Sequence, residues 1–154
     1  MAPFTREELE TAFTEYQRVG EEAGRTGDWN PWADLFTEDA HYVEHLFGEM
    51  HGREAIREWI TRVMAEFPGN AMPEFPIEWS ILDPERGWIA CKIWNRMEDP
   101  GDGSVHEAAN LTLLRYAGDG TWSYEEDAYN PDAFRSMIAE WSAVKQAHSS
   151  EDPA

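Results

Sequence analysis

The stretch from Asp39 to Ile56 reads DAHYVEHLFGEMHGREAI, and whether its first half is helix or strand decides the fold. Within it, His41-Tyr-Val-Glu-His45 fits the H-x-x-E-H pattern by which one class of zinc peptidases presents two metal ligands and a catalytic glutamate. That chemistry needs a helix, because only there do residues 41 and 45 stack on one face. The room is too short: a helix upstream ends near Thr37 and a glycine follows at 48, leaving about two turns. Tyr42, Val43 and Phe47 also favour an extended chain. As a strand, the segment points His41, Val43 and His45 one way and Tyr42, Glu44 and Leu46 the other. The glutamate is then parted from both histidines by the sheet. No third ligand is set by spacing, so no stoichiometric transition metal is expected.

Working outward, Gly52 leads into REAIREWITRVMAEF, where Ile56, Trp59, Ile60, Val63 and Phe67 recur at helical spacing until Pro68-Gly69. Upstream, Asn30-Pro31 opens a short helix expected to bury Trp32, Leu35 and Phe36. Before it, Thr5 and Glu8 form a capping box, with Phe4 and Leu9 as a staple, and Gly24 and Gly27 end that first helix. Beyond Pro68 the period changes to two. Phe75, Ile77, Trp79 and Ile81 alternate, as do Ile89, Cys91, Ile93, Asn95 and Met97. Glycine-rich turns then separate strands over 106–116 and 121–127, and Asn130-Pro131 caps a last helix carrying Phe134, Met137, Ile138, Trp141 and Val144. The expected order is two helices, a strand, a helix, four antiparallel strands and a closing helix. Helices gathered on one side of a curved antiparallel sheet make an α+β domain with an apolar pocket between the layers. It is read as one domain over 1–148, followed by a flexible acidic tail over 149–154.

Composition narrows the function. Twelve basic against 31 acidic residues give a net charge of −19, which disfavours nucleic acid and anionic membranes as partners. Eight tryptophans, seven phenylalanines and five tyrosines call for a folded core rather than disorder. The single cysteine, Cys91, fits a reducing compartment, and neither a signal peptide nor a membrane span is visible, so a cytoplasmic protein is expected. No nucleophilic triad, phosphate loop or flavin motif appears, and no cofactor is expected.

The region from Gly27 to Ile60, GDWNPWADLFTEDAHYVEHLFGEMHGREAIREWI, and the later WSYEEDAYNPDAFRSM resemble the SnoaL-like branch of the nuclear-transport-factor-2-like superfamily. The resemblance implies a cone-shaped α+β fold, usually dimeric through the outer face of its sheet. It says less about activity, since the fold hosts isomerases, cyclases, dehydratases, hydrolases and plain binders. Compared with ketosteroid isomerase, Glu44 falls where that enzyme carries its general base. Thr112 replaces its protonated aspartic acid, and Gly20 replaces its phenol, with Tyr16 one turn earlier. Compared with limonene-epoxide hydrolase, Tyr42 matches a water-positioning tyrosine and Asp127 one catalytic aspartate. There Glu44 replaces an asparagine, Asn95 the other aspartate and Ile93 the arginine.

Both comparisons place positions 42, 44, 93, 95, 110, 112, 125 and 127 on the pocket face. Glu44, Asp127 and Tyr42 are the candidate catalytic residues; Asn95, Asn110, Tyr16, Trp59 and Tyr129 are candidates to bind substrate. Each has a plainer reading. Glu44 could pair with Arg53 or Arg57 at the surface, Asp127 could cap the turn before Asn130-Pro131, and Trp59 could be core. The expected function is acid–base chemistry (isomerisation, cyclisation or dehydration) on a small apolar polyketide- or terpenoid-like molecule, with Tyr42 and Asn95 donating to developing negative charge. The alternative is a non-catalytic binding or structural module of the same fold. A homodimer is expected through the opposite sheet face, which carries Trp88, Trp94 and Arg96.

Overall fold

The computed structural model describes residues 3–151. Helix α1 (Arg6–Thr26) starts at Thr5, whose hydroxyl oxygen accepts from the Glu8 amide at 3.0 Å. It runs through Gly24, expected as its end, and stops at Gly27, which adopts φ 81° and donates its N–H to Ala23. Gly24 has a different purpose. A Cβ there would lie 2.1 Å from the Pro73 carbonyl oxygen, so glycine lets the helix touch the loop before the third strand.

Helix α2 is a single turn (Asn30–Ala33), shorter than expected. Trp32 is buried within it, but Phe36 opens strand β1 (Phe36–Glu44). The Leu35 carbonyl already accepts the Trp122 amide at 2.8 Å, so the chain is captured by the sheet before a second helical turn can form. His41 to Glu44 are extended, as the strand reading requires. A short strand not foreseen, β2 (Gly48–His51), folds back antiparallel on β1, and α3 (Arg53–Ala65) follows it.

Strands β3 (Ile77–Asp83), β4 (Trp88–Arg96), β5 (Glu107–Gly118) and β6 (Thr121–Ala128) form an antiparallel meander. The six strands lie in the order β2-β1-β6-β5-β4-β3. One junction corrects the all-antiparallel expectation: β1 and β6 are parallel, so the sheet is mixed. The sheet is open, with β2 and β3 at its edges. Helix α4 (Pro131–Glu151) begins beside Asn130, whose side chain accepts the Asp132 amide at 3.0 Å. It continues through 149–151, into the segment expected to be a tail; residues 152–154 lie outside the described ones. No helix among the described residues is long and apolar enough to cross a membrane.

The main core lies between the inner sheet face and α1, α2 and α3, with Phe36, Ile56, Ile89, Leu114 and Trp122 fully buried. A smaller cluster of Met72, Met97, Ala108, Met137 and Trp141 seats α4. A bulge between Ile77 and Trp79 breaks the strict alternation read along β3. Ile77 stays inside, whereas Trp79 and Ile81 turn to the outer face, where Leu111 and Leu113 are also exposed. Trp88 and Trp94, expected to be bare there, are half-buried, with Arg115 over one ring and Lys92 over the other.

Candidate active site in the cone

Between the inner sheet face and α1, α3 and the first turns of α4 lies a cavity of about 400 Å³. Its walls are mainly apolar, including Trp29, Trp32, Val63, Phe75 and Ile93. Polar groups come from the strands, because alternate residues of β1, β5 and β6 must point inward. All eight residues singled out in the sequence border this cavity: Tyr16, Tyr42, Glu44, Trp59, Asn95, Asn110, Asp127 and Tyr129.

The parallel pairing of β1 with β6 sets Glu44 opposite Asp127 and Tyr42 opposite Glu125. Three carboxyl groups therefore meet on one wall. Glu125 is 2% exposed and Glu44 4% exposed. Two hydrogen-bonded chains converge on Asp127. In one, Asn95 donates to Asn110 Oδ1 at 2.7 Å, Asn110 donates to Thr112 Oγ1 at 2.7 Å, and Thr112 donates to Asp127 Oδ1 at 2.6 Å. In the other, Tyr16 Oη lies 2.9 Å from Glu125 Oε1, Tyr42 Oη lies 3.0 Å from the same oxygen, and Tyr42 also donates to Asp127 Oδ2.

Counting hydrogens constrains the protonation. The Tyr42 phenol owns one proton but contacts both Glu125 and Asp127, so one of these two carboxyls must carry a proton and donate it to the phenol oxygen. The energetics separate the two. Burial pushes the Glu125 carboxyl well above the usual carboxylate range, and the neighbouring Asp127 charge pushes it further. Burial also raises Asp127, but the donors Thr112 and Tyr42 hold it back. The stronger upward push falls on Glu125, which favours it as the holder of the shared proton beside Asp127, and the pair titrates as a coupled unit.

Glu44 is satisfied differently. The β1–β2 turn curls over it, so the Leu46 and Phe47 amides donate at 3.3 and 2.9 Å. Tyr129 faces it from just before α4, and burial first, then its hydrogen bond to Glu44 and the Glu44 charge, pushes that phenol's pKa upward. Arg53 pairs with Glu38, and Arg57 with Asp34 and Glu54, so neither serves Glu44.

Two expected roles change. Both amide hydrogens of Asn95 are used inside the protein, on Asn110 and on the Ala108 carbonyl. The Tyr42 hydrogen is taken by Asp127. Neither can donate to a ligand in this arrangement. The indole N–H of Trp59 is buried and without a partner among the described residues, and Trp59 lines the cavity.

Glu125 and Thr112 were not singled out, although their positions were read as pocket-facing. Alternation from the buried Trp122 would put 124 and 126 inside. A register shift between Trp122 and Tyr124 reverses this and turns Glu125 inward. Meanwhile His41 and His45 face outward: His41 stacks on His51, and His45 lies 2.7 Å from Glu126. Glu44 is separated from both, as the strand reading requires.

Residues 17–90 match the SnoaL-like domain family. No curated protein matches the sequence. Among solved structures, a protein of ketosteroid isomerase-like fold from Catenulispora acidiphila, solved with trimethylamine, is 22% identical. That match covers 88% of this chain and 95% of that one, at TM-score 0.64. A nuclear-transport-factor-2-like protein from Anabaena variabilis is 14% identical, with 84% and 95% covered, at 0.61. A Mycobacterium tuberculosis protein solved with estradiol-17β-hemisuccinate is 14% identical, with 79% and 96% covered, at 0.57. At these identities the likeness speaks for the fold. Residues 17–90 are thus similar to a SnoaL-like domain, and the chain shares the fold of the nuclear-transport-factor-2-like structures.

Proposed function

We propose that this protein catalyses cofactor-independent acid–base chemistry (isomerisation, cyclisation or dehydration) on a small, mostly apolar polyketide- or terpenoid-like substrate. The observation that carries the reading is three buried carboxyl groups on one wall of an apolar cavity, one of them pushed by burial toward its neutral form. Glu44 is the base. Its carboxylate accepts from the Leu46 and Phe47 amides, is faced by Tyr129, and borders the cavity. Trp59 supplies the hydrogen bond to a substrate oxygen as negative charge develops there. Glu125, relayed through Tyr42 to Asp127, is the proton reserve. Asn95, Asn110 and Thr112 position Asp127, and Tyr16 positions Glu125.

The test is hydrogen–deuterium exchange at carbons next to a carbonyl, followed by NMR over a panel of small apolar ketones and esters. The wild type should accelerate exchange for at least one member. Glu44→Gln should lower that rate by roughly 10²–10⁴-fold, and Trp59→Phe, which keeps an aromatic ring but removes the N–H, should lower it without loss of fold. If ketones quench the cavity tryptophans by binding but none exchanges, the alternative of a ligand-binding module replaces the enzyme. That alternative draws on the closure of the network, in which both Asp127 oxygens are already occupied by protein donors.

The protein is further proposed to act as a cytoplasmic homodimer. Trp79, Ile81, Leu111 and Leu113 leave an apolar strip on the outer sheet face that a second copy would cover.

A further inference from the structure

The histidines of the opening stretch belong to a second cluster, on the opposite side of the sheet from the cavity. In the β1–β2 hairpin, His41 is the direct cross-strand partner of His51, and Val43 that of Glu49. Residues 41, 43, 49 and 51 therefore share the outer face. The two imidazoles stack with centroids 4.5 Å apart and planes 12° apart. The edge-on Tyr124 ring, 5.4 Å from His41, limits how His41 can turn. Glu49 reaches between them: its Oε1 lies 3.4 Å from His41 Nε2, and its Oε2 lies 3.7 Å from His51 Nε2. One ligand atom from each of the three residues falls within 4.8 Å of the others.

We propose that His41, Glu49 and His51 form a binding site for a divalent cation of the zinc class. With metal–ligand bonds of about 2.0–2.2 Å, a tetrahedral ion holds its ligands about 3.3–3.5 Å apart. The observed nitrogen-to-oxygen separations, each to a different Glu49 oxygen, are near that edge, and a turn of the exposed His51 ring out of the stack would bring both in-plane lone pairs onto one ion. A second observation points the same way. His41 Nε2 is shielded from solvent and makes no hydrogen bond, even with Glu49 nearby. A buried polar atom ordinarily has a partner, and a cation between the three groups supplies one. Two imidazoles among three ligands select zinc, cobalt or nickel over magnesium or calcium, which prefer all-oxygen shells. Three protein ligands leave a fourth position for water.

The site differs from the H-x-x-E-H reading. That pattern would have used His45 and Glu44, which the strand sends elsewhere; here the carboxylate and the second imidazole come from β2. The expectation of no metal rests on the separation of Glu44 from the histidines, whereas the strand at 48–51 brings a different carboxylate, Glu49, beside His41. A bound cation would staple β2, an edge strand of four residues, to β1. It would thereby also hold the turn whose Leu46 and Phe47 border the cavity.

The test uses the full chain, stripped with a chelator and titrated with zinc(II) by calorimetry, and with cobalt(II) by visible absorption. Expected are one equivalent per chain, the spectrum of four-coordinate cobalt, and a rise in thermal midpoint on adding zinc. His51→Ala and Glu49→Gln, both at exposed positions, should each weaken zinc binding at least tenfold, while His45→Ala should not. Absence of saturable binding overturns the site. So does binding that survives His51→Ala and Glu49→Gln unchanged, which would mark adventitious association with the acidic surface.

Discussion

At residue scale, the protonation of Glu125 is the most consequential detail, and it makes stability depend on pH in a defined sense. Its folded-state pKa is raised by burial and by the Asp127 charge. Between the ordinary carboxylate range and that raised value, the native state keeps a proton that the unfolded chain has released. Stability must therefore fall as pH climbs through this window. A glutamine at 125 has no proton to lose. Glu125→Gln should thus gain on the wild type as pH rises from about 5 to about 8, whatever fixed offset the amide introduces. Urea midpoints for both proteins across that range check this; parallel profiles would mean that Glu125 is already ionised in the native state. Asp127→Asn should act differently, because it removes the acceptor on which both hydrogen-bonded chains converge and leaves Thr112 and Tyr42 without their partner.

At the scale of elements, the legible parts were those where one local rule acts alone. The Thr5 cap, the strand state of residues 41–44, the β4 alternation and the Asn130 cap follow from short-range chemistry, and the structure has all four. What escaped the sequence depends on contacts far along the chain. The β1–β6 pairing joins residues some 80 positions apart, the β6 register shift decides that Glu125 faces inward, and the β3 bulge turns Trp79 outward. Alternation cannot locate such shifts, because each inserts a residue without changing composition. The strand residues expected to border the cavity, Tyr42, Glu44, Asn95, Asn110 and Asp127, do border it, because they were placed by strand faces. Position 125 was placed on the pocket face by the resemblance, but nothing in its neighbours marks its carboxyl as one that is fully buried.

Gly24 tests the same lesson from the other side. Helix propensity alone says that Gly24→Ala, inside α1, should stabilise by about 1 kcal/mol. The packing says otherwise, since the new Cβ would meet the Pro73 carbonyl oxygen at 2.1 Å. Forced overpacking of this kind costs about 1–3 kcal/mol, so the net change should be destabilising. A denaturation midpoint higher than that of the wild type would show that the loop before β3 yields easily.

At the scale of the whole molecule, the outer sheet face is the feature a monomer leaves unexplained. Ladder registers align its apolar residues into two rows across three strands. Ile81 pairs with Ala90, which pairs with Leu113; Trp79 pairs with Lys92, which pairs with Leu111. Ile81 is 64% and Leu111 50% exposed, so these side chains project from the sheet rather than fold back on it. Charged groups frame the rows, with Arg96 paired to Glu107 at one end and Arg115 over Trp88 at the other, while Lys92, inside the second row, is neutralised by Glu78. An apolar centre with a polar rim is the composition of a protein interface. The strong negative charge opposes association at long range, so a dimer held by these residues should tighten as salt screens the repulsion. Light scattering at micromolar concentration should report two chains, more completely in high salt. Ile81→Glu combined with Leu113→Glu should yield monomers with an unchanged circular dichroism spectrum, because neither side chain contributes to the core. A wild type that stays monomeric throughout, or a double variant that stays dimeric, would assign the interface elsewhere or remove it.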